Sequence, residues 1–492
     1  MASSQSDLKI HFNDYFEVSP EHLEAAGAFN VSLINDLPLF IDPFLLFNSP
    51  DAQHRQLHDG IIRYLRFLRD KAAAGAVGSG LIAAWYRFSE VKQTWLGFSR
   101  VGNEGRGLGM DFAHELHRNL HSIFSEFGSE RVTKGSHLEK LCLIRGGVGR
   151  DTISDFTTNL IKEYLLEYTQ DFARSHIAAR FRRRVTVPRV RFNYETESWE
   201  ADSYDLPWLD ANYVILTPKS ILTKDDTWIN RPDMITDFDE IVDALPNSEL
   251  RAQLNNYLLK VLPDRPTRTE RRSAIQSTIA RFPEFIEYYI RHKEDTGEVA
   301  SSISQEKVAE MEDLFVRQVR QFVRDLYSSS AFYSTRGETL QEARTRVDFL
   351  KDVIENKGGF RIFYIDGKPV RRESDLHILF RLTWFATPSD VSREVNDGRG
   401  PADFKISRGS LDKTIIEFKL ASNTNLKRNL QKQAELYQKA SDARSGMKVI
   451  VYFTPEELAR VDTILGELGL RGHRNIVLID ARQDNKPSAS KA

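Results

Sequence analysis

Apolar spacing divides the chain into a long helix-rich part and a strand-rich last quarter. Residues 61–68 begin an amphipathic helix. Residues 151–180 read as one long helix, with Ile153, Phe156, Leu160, Tyr164, Leu165, Tyr168 and Phe172 on a single stripe. Asp151 and Thr152 give that helix a capped, acidic start. Strands are expected at residues 39–41, 185–192 and 213–216. Residues 305–356 read as two long helices joined near Ser328-Ser329-Ser330. Val308, Met311, Leu314, Phe315, Val319 and Phe322 share one face there, a spacing that marks core more often than interface. Residues 293–304, rich in Glu, Asp, Gly and Ser, read as a linker. The expected division is a helix-rich α+β body over residues 1–293, a helical arm over 304–356, an α/β domain over 357–482, and a disordered tail over 483–492.

The last domain holds the densest pattern. Residues 373–386 read as a helix that buries Leu376, Leu379, Phe380 and Leu382. A hairpin follows, with Phe404 and Ile406 in its first strand and Ser407-Arg408-Gly409-Ser410 in its turn. Ile415 to Leu420 form the second strand. Alternation puts Ile416, Phe418 and Leu420 on a core face and Ile415, Glu417 and Lys419 on the other. Pro401 stands where a missing N–H costs least, and Asp403 follows it. A helix over 426–443 carries Gln433 and Tyr437 four apart on one face. Strands at 447–453 and 475–480 flank a helix at 455–469. Two carboxylates and a lysine at a sheet surface have the makings of a cation site with a cationic neighbour.

The set Pro401-x-Asp403, Glu417-x-Lys419 and Gln433-x-x-x-Tyr437, on this order of elements, resembles the PD-(D/E)XK nuclease superfamily. The Gln-x-x-x-Tyr addition resembles the branch that holds RecB-type and Cas4-type nucleases. The cysteine cluster of Cas4-type enzymes is absent, so no iron–sulfur centre is carried over. The resemblance covers residues 359–480 and implies a restriction-endonuclease-like αβββαβ core. It also implies Mg²⁺-dependent hydrolysis of phosphodiester bonds in DNA, with Mn²⁺ able to substitute. Asp403, Glu417 and the carbonyl of Phe418 would hold the metal. Lys419 would orient or deprotonate the attacking water, while Gln433 and Tyr437 help place the phosphate. Glu373 is the expected further acid, with Glu394 as its alternative; both also fit as ordinary surface charges. Lys427, Arg428 and Lys432 would face the substrate backbone.

Composition changes this picture little. Of 492 residues, 41% are apolar and 28% charged, and the net charge is −2. The charge is unevenly spread, with 25 basic and 19 acidic residues from Lys351 onward and a balance of about −8 before it. A mildly basic module on an acidic body suits a phosphate-backbone substrate. Cys142, the single cysteine, excludes an internal disulfide and a cysteine zinc site, and it reads as a buried small hydrophobe. The start lacks signal-peptide character, and the apolar run at 33–47 is broken by Asp36, Pro38, Asp42 and Pro43. A cytoplasmic protein with no membrane contact is expected.

Three features of the body compete for a role. Gly102-x-x-Gly105-x-Gly107-x-Gly109 lacks the P-loop lysine and reads as a flexible turn. Asp151 and Asp155 share a helix face after Gly146-Gly147-Val148-Gly149, and a helix cap is the simpler account. Arg180, Arg182, Arg183, Arg184, Arg189 and Arg191 alternate in part with apolar residues, giving one basic strand face. Glu195, Glu197, Glu200 and Asp202 stand near enough in sequence to pair with it. A solvated, ion-paired face is the first reading and a nucleic-acid surface the second. No helicase, ATPase or methyltransferase motif accompanies the module, so the body would set specificity or activation, through a homodimer or an accessory protein partner. The superfamily's range points to bacterial antiviral defence against invading DNA. The alternative is a non-catalytic nucleic-acid-binding or assembly subunit that uses the nuclease-like fold.

Overall fold

The computed structural model describes residues 9–33, 36–75, 77–97, 109–124, 127–128, 130–144, 148–209, 212–224, 226–321, 339–365, 368–370, 390–393, 404–408, 412–431 and 445–486. The fold is mixed α/β. In the body, helix Ala52–Ala73 starts on the Asp51 carboxylate, which accepts from the Gln53 amide, and buries Ile61, Ile62, Leu65 and Leu68 as their spacing requires. Strand β1 (Leu39–Ile41) lies in the core. The expected long helix is two helices, Arg150–Leu160 and Lys162–His176, meeting at Ile161. Thr157 and Thr158 turn their hydroxyls onto the carbonyls of Ile153 and Ser154, a back-bonding pattern that bends helices. The N-cap is Gly149 rather than Asp151, which sits in the first turn.

A long ribbon follows, β2 (Arg182–Asn193) paired antiparallel with β3 (Ser198–Leu209), and β4 (Asn212–Tyr213) adds a short third strand. The strand expected at 213–216 is thus confined to its first residue, although Val214, Ile215 and Leu216 are buried. Strand β5 (Leu222–Lys224) returns to pair with β1.

Residues 293–304 are helical and packed, not a linker. Helix Phe285–Asp295 ends there and helix Gly297–Glu312 begins. Lys293 is buried over the ring of Trp228 at 4.6 Å and bonds Asp233 at 2.6 Å. Glu294 is buried and accepts from the amides of Lys134 and Gly135 and from His137. A Cβ on Gly297 would come within 2.9 Å of Asn48 Oδ1. The polar composition that suggested a linker serves internal ties. The helix continues into a π-turn, Asp313–Gln318, and Val308, Met311, Leu314, Phe315 and Val319 are buried as core.

The second half of the expected arm belongs to the C-terminal unit. Helix Thr339–Asn356 packs on its sheet, and Thr339 bonds Thr414 through their hydroxyls at 2.9 Å. Two short strands, β6 (Tyr364–Ile365) and β7 (Lys368–Pro369), pair with each other. The main sheet runs β12-β11-β10-β9-β8, comprising β8 (Asp390–Arg393), β9 (Phe404–Arg408), β10 (Asp412–Leu420), β11 (Ser445–Tyr452) and β12 (Ile476–Asp480). The first three strands form an antiparallel meander, and β10, β11 and β12 are mutually parallel. Helix Thr339–Asn356 covers the face of Ile416, Phe418, Met447 and Val449. Helix Pro455–Glu467 and the helical residues 426–431 cover the opposite face, against Ile450 and Tyr452. The helix expected at 373–386, the remainder of 426–443 and the tail after residue 486 lie outside the described residues.

Candidate functional site

Strand β10 alternates as its sequence dictates. Thr414, Ile416, Phe418 and Leu420 are buried, while Ile415, Glu417 and Lys419 are half-buried on the other face. Phe404 of β9 meets Phe418 edge-on at 5.5 Å and fixes the hairpin on the core side. The antiparallel register runs from Asp412 opposite Arg408 to Ile416 opposite Phe404. Glu417 is the next residue of β10, and residue 403 is the covalent neighbour of Phe404.

Glu417 has a partner that the sequence reading did not name. The parallel register sets Lys448 of β11 directly beside it, and Lys448 Nζ bonds Glu417 Oε2 at 2.9 Å. Lys448 also donates to the carbonyl of Asn429 at 3.1 Å, so one ammonium ties β10, β11 and the helical residues 426–431 together. The lysine side chain is 3% exposed and that of Glu417 22%. One signal was available, a lone lysine inside the apolar run Met447-Lys448-Val449-Ile450-Val451. A buried charge without a partner is costly, so such a lysine should seek a carboxylate. The end of β10 is anchored by Arg460, whose guanidinium donates to the carbonyls of Ala421 and Asn423 at 2.7 and 2.8 Å.

Of the expected site residues, Glu417, Phe418 and Lys419 are described. Asp403, Gln433, Tyr437, Glu373 and Glu394 lie outside the described residues, as does Lys432. Lys427 pairs with Glu467 at 2.7 Å on the surface. Among the described residues, no three or more His, Cys, Asp or Glu side chains are arranged to hold a metal ion.

The body has a separate group of carboxylates. Burial, followed by the nearby charges of Glu90 and Asp151, pushes Asp155 up to about 8. Asp42 is buried and pushed up to about 6 by desolvation, although the amides of Trp228 and Phe44 donate to it. Glu139 is raised well above the ordinary carboxyl range, first by burial and then by Asp42. The glycine cluster at 102–109 is outside the described residues except for Gly109, the N-cap of helix Met110–Ile123.

Residues 17–230 match a domain of unknown function (DUF8370), and residues 339–455 match another domain of unknown function (DUF8371). The second match begins at Thr339, the first residue of the helix that covers the C-terminal sheet. No curated protein and no solved structure matches the chain. Among the described residues, no helix is long and apolar enough to cross a membrane.

Proposed function

We propose that the C-terminal unit is a metal-dependent nuclease that hydrolyses phosphodiester bonds in DNA. The observation that carries this reading is the placement of Glu417 and Lys419 on one half-buried face of β10, beside the end of its register with β9. Asp403 precedes Phe404 in the chain. If strand alternation extends one pair further, the Asp403 and Glu417 side chains share a face. The order of elements supports the same reading: a meander of three strands, a helical segment beginning at residue 426, and a parallel strand.

Among the described residues, one carboxylate and one strand carbonyl on β10 are available to the proposed divalent cation. Glu417 supplies carboxylate oxygen, of which Oε2 is engaged by Lys448. Asp403, Glu417 and the Phe418 carbonyl would hold Mg²⁺, with Glu373 the proposed further acid. When bound, the ion would lower the pKa of a water and withdraw charge from a phosphate oxygen. Lys419 supplies a cation on the same face as Glu417, suited to orienting the attacking water and offsetting phosphate charge. Lys448 holds the Glu417 carboxylate from the neighbouring strand, and Gln433 and Tyr437 would help place the phosphate. The body, residues 17–230 and the helices after it, would set where or when the nuclease acts.

The test incubates the full chain with plasmid, linear duplex, single-stranded DNA and RNA in Mg²⁺, Mn²⁺ or EDTA. Cleavage should require the metal and fall about a hundredfold or more in Asp403→Ala, Glu417→Ala and Lys419→Ala proteins that still fold. Undiminished cleavage in EDTA, or by the Lys419→Ala protein, would refute the assignment. Binding without cleavage in every metal would favour the non-catalytic alternative.

A further inference from the structure

The arginine-rich ribbon does not present the uniform basic face that alternation implied. A bulge interrupts the β2–β3 register between Val187 and Arg191. Arg189 within it adopts a left-handed backbone (φ 55°), lies over Trp199 at 5.1 Å and donates to the carbonyl of Arg87. The bulge separates two electrostatically different ends. Toward the hairpin tip, Arg191 bonds Glu163 at 2.9 Å and Glu200 at 3.3 Å, the ion-paired state expected from the sequence.

At the other end the cations outnumber their partners. Arg183 and Arg184 are exposed on β2, and Arg182 is half-buried beside them. Arg180 and Arg174 approach from the preceding turn and helix. The carboxylates bonded to this group are Glu17, which pairs with Arg180, and Asp205. Arg174 takes Asp205 at 2.6 and 3.0 Å, leaving Arg184 only a 3.8 Å approach to it. Arg183 lies over the ring of Trp208 at 4.7 Å, which orders its guanidinium without neutralising it. Among the described residues, five arginines thus share two paired carboxylates. Arg182, Arg183 and Arg184 also stand on an edge strand, because β2 has β3 on one side only within its sheet.

We infer that this edge of the ribbon, Arg180 to Arg184 with Arg174, is a contact surface for the phosphate backbone of a nucleic acid. Ordered guanidinium groups with partly unmet charge on a projecting edge bind a regularly spaced line of phosphates well, and they read no bases. Choosing nucleic acid over other polyanions rests on the nuclease reading of the C-terminal unit. The contact itself is independent of cleavage.

The experiment measures fluorescence anisotropy of a labelled duplex with the full chain in EDTA, where a metal-dependent nuclease is silent, from about 50 to 300 mM salt. Replacing Arg180, Arg183 and Arg184 together by Gln should weaken binding about tenfold or more and flatten the log–log salt slope by about 2 to 3. Asp205→Asn should act in the opposite direction, tightening binding about two- to fivefold by releasing Arg174 and Arg184. Arg191→Gln, at the ion-paired end, should change affinity less than about twofold. Circular dichroism and melting midpoints establish that each variant is folded. Unchanged affinity in a folded triple variant overturns the inference, as does weaker binding by Asp205→Asn. Equal competition by polyglutamate at matched charge would also overturn it, since that identifies an acidic-protein surface. Loss of binding in the triple variant with the metal-dependent cleavage chemistry intact would separate this contact from the active site.

Discussion

Glu417 and Lys448 form a pair whose two halves are unequally protected, and their substitutions should be unequally costly. At 2.9 Å their attraction is about 6 kcal/mol at an effective dielectric of about 20, before desolvation is subtracted. Glu417→Gln leaves an ammonium that is 3% exposed facing a neutral amide and the Asn429 carbonyl in place of a carboxylate. That variant should lose about 3–4 kcal/mol, as when one partner of a buried pair is removed. Lys448→Met leaves a carboxylate that is 22% exposed, which water can reach, and puts a thioether of similar length into an apolar strand. Its cost should be about 1–2 kcal/mol. The double variant should be no worse than Lys448→Met alone, giving a coupling energy of about 3 kcal/mol. Urea denaturation followed by circular dichroism, reading the transition that Glu417→Gln moves, measures all three. Equal losses for the two single variants, or strictly additive losses in the double, would refute the pair as described. The result also bears on catalysis, because loss of cleavage in a Glu417 variant is interpretable only if the protein remains folded. The Glu417→Gln/Lys448→Met protein supplies that control.

Asp155 is raised to about 8, so between about pH 4 and 8 the folded protein holds a proton that the unfolded chain has released. Stability from this group therefore falls as pH rises through that window, and Asp155→Asn should raise the melting midpoint at pH 9 while doing little at pH 4, with a gain of up to about 6 kcal/mol at high pH. Burial pushes the Cys142 thiol far up, so Ellman's reagent should label it only in denaturant; rapid labelling of the native chain would contradict its burial. Glu342 and Arg346 are fully buried and bonded at 3.0 Å within helix Thr339–Asn356. Glu342→Ala should destabilise by about 3–5 kcal/mol in the same urea assay, and a change below about 1 kcal/mol would show that the guanidinium is otherwise satisfied.

Strand β10 was legible because it carries a period of two against one buried face, and β11 because it is a continuous, mostly apolar run buried on both faces. Glu417 and Lys419 fell on the expected side because of that period of two. Lys448 was missed because a lysine in an apolar run looks like an interruption until the parallel register places a carboxylate beside it. Helix boundaries failed where local chemistry overrode periodicity, as at Ile161, where threonine back-bonding breaks an otherwise continuous stripe. The 293–304 segment failed for the converse reason. Lys293 and Glu294 look solvated in sequence, yet both are buried and each has a specific partner supplied by residues 60 to 160 positions away. Likewise, Thr339–Asn356 reads as an arm until its burial against β10 is known. The bulge at Arg189 was missed although Pro188, which cannot donate to a strand ladder, stands beside it; Arg189 itself carries its positive φ without being glycine.

The contacts that close the body have a consequence for how the chain is made. His11 Nε2 meets the carbonyl of Phe315, 304 positions later, and Arg320 bonds Asp14 and Asn13 at 3.0 and 2.7 Å. The π-turn that presents Phe315 therefore meets the start of helix Phe12–Phe16 only after the ribosome has synthesised most of the chain. At about 5–20 residues per second, His11, Asn13 and Asp14 await those partners for roughly 15–60 s. Residues 17–230, although matched as a domain, do not contain this closing segment. Nascent chains arrested before residue 313 should thus be more protease-sensitive and more dependent on chaperones than chains arrested well beyond residue 320.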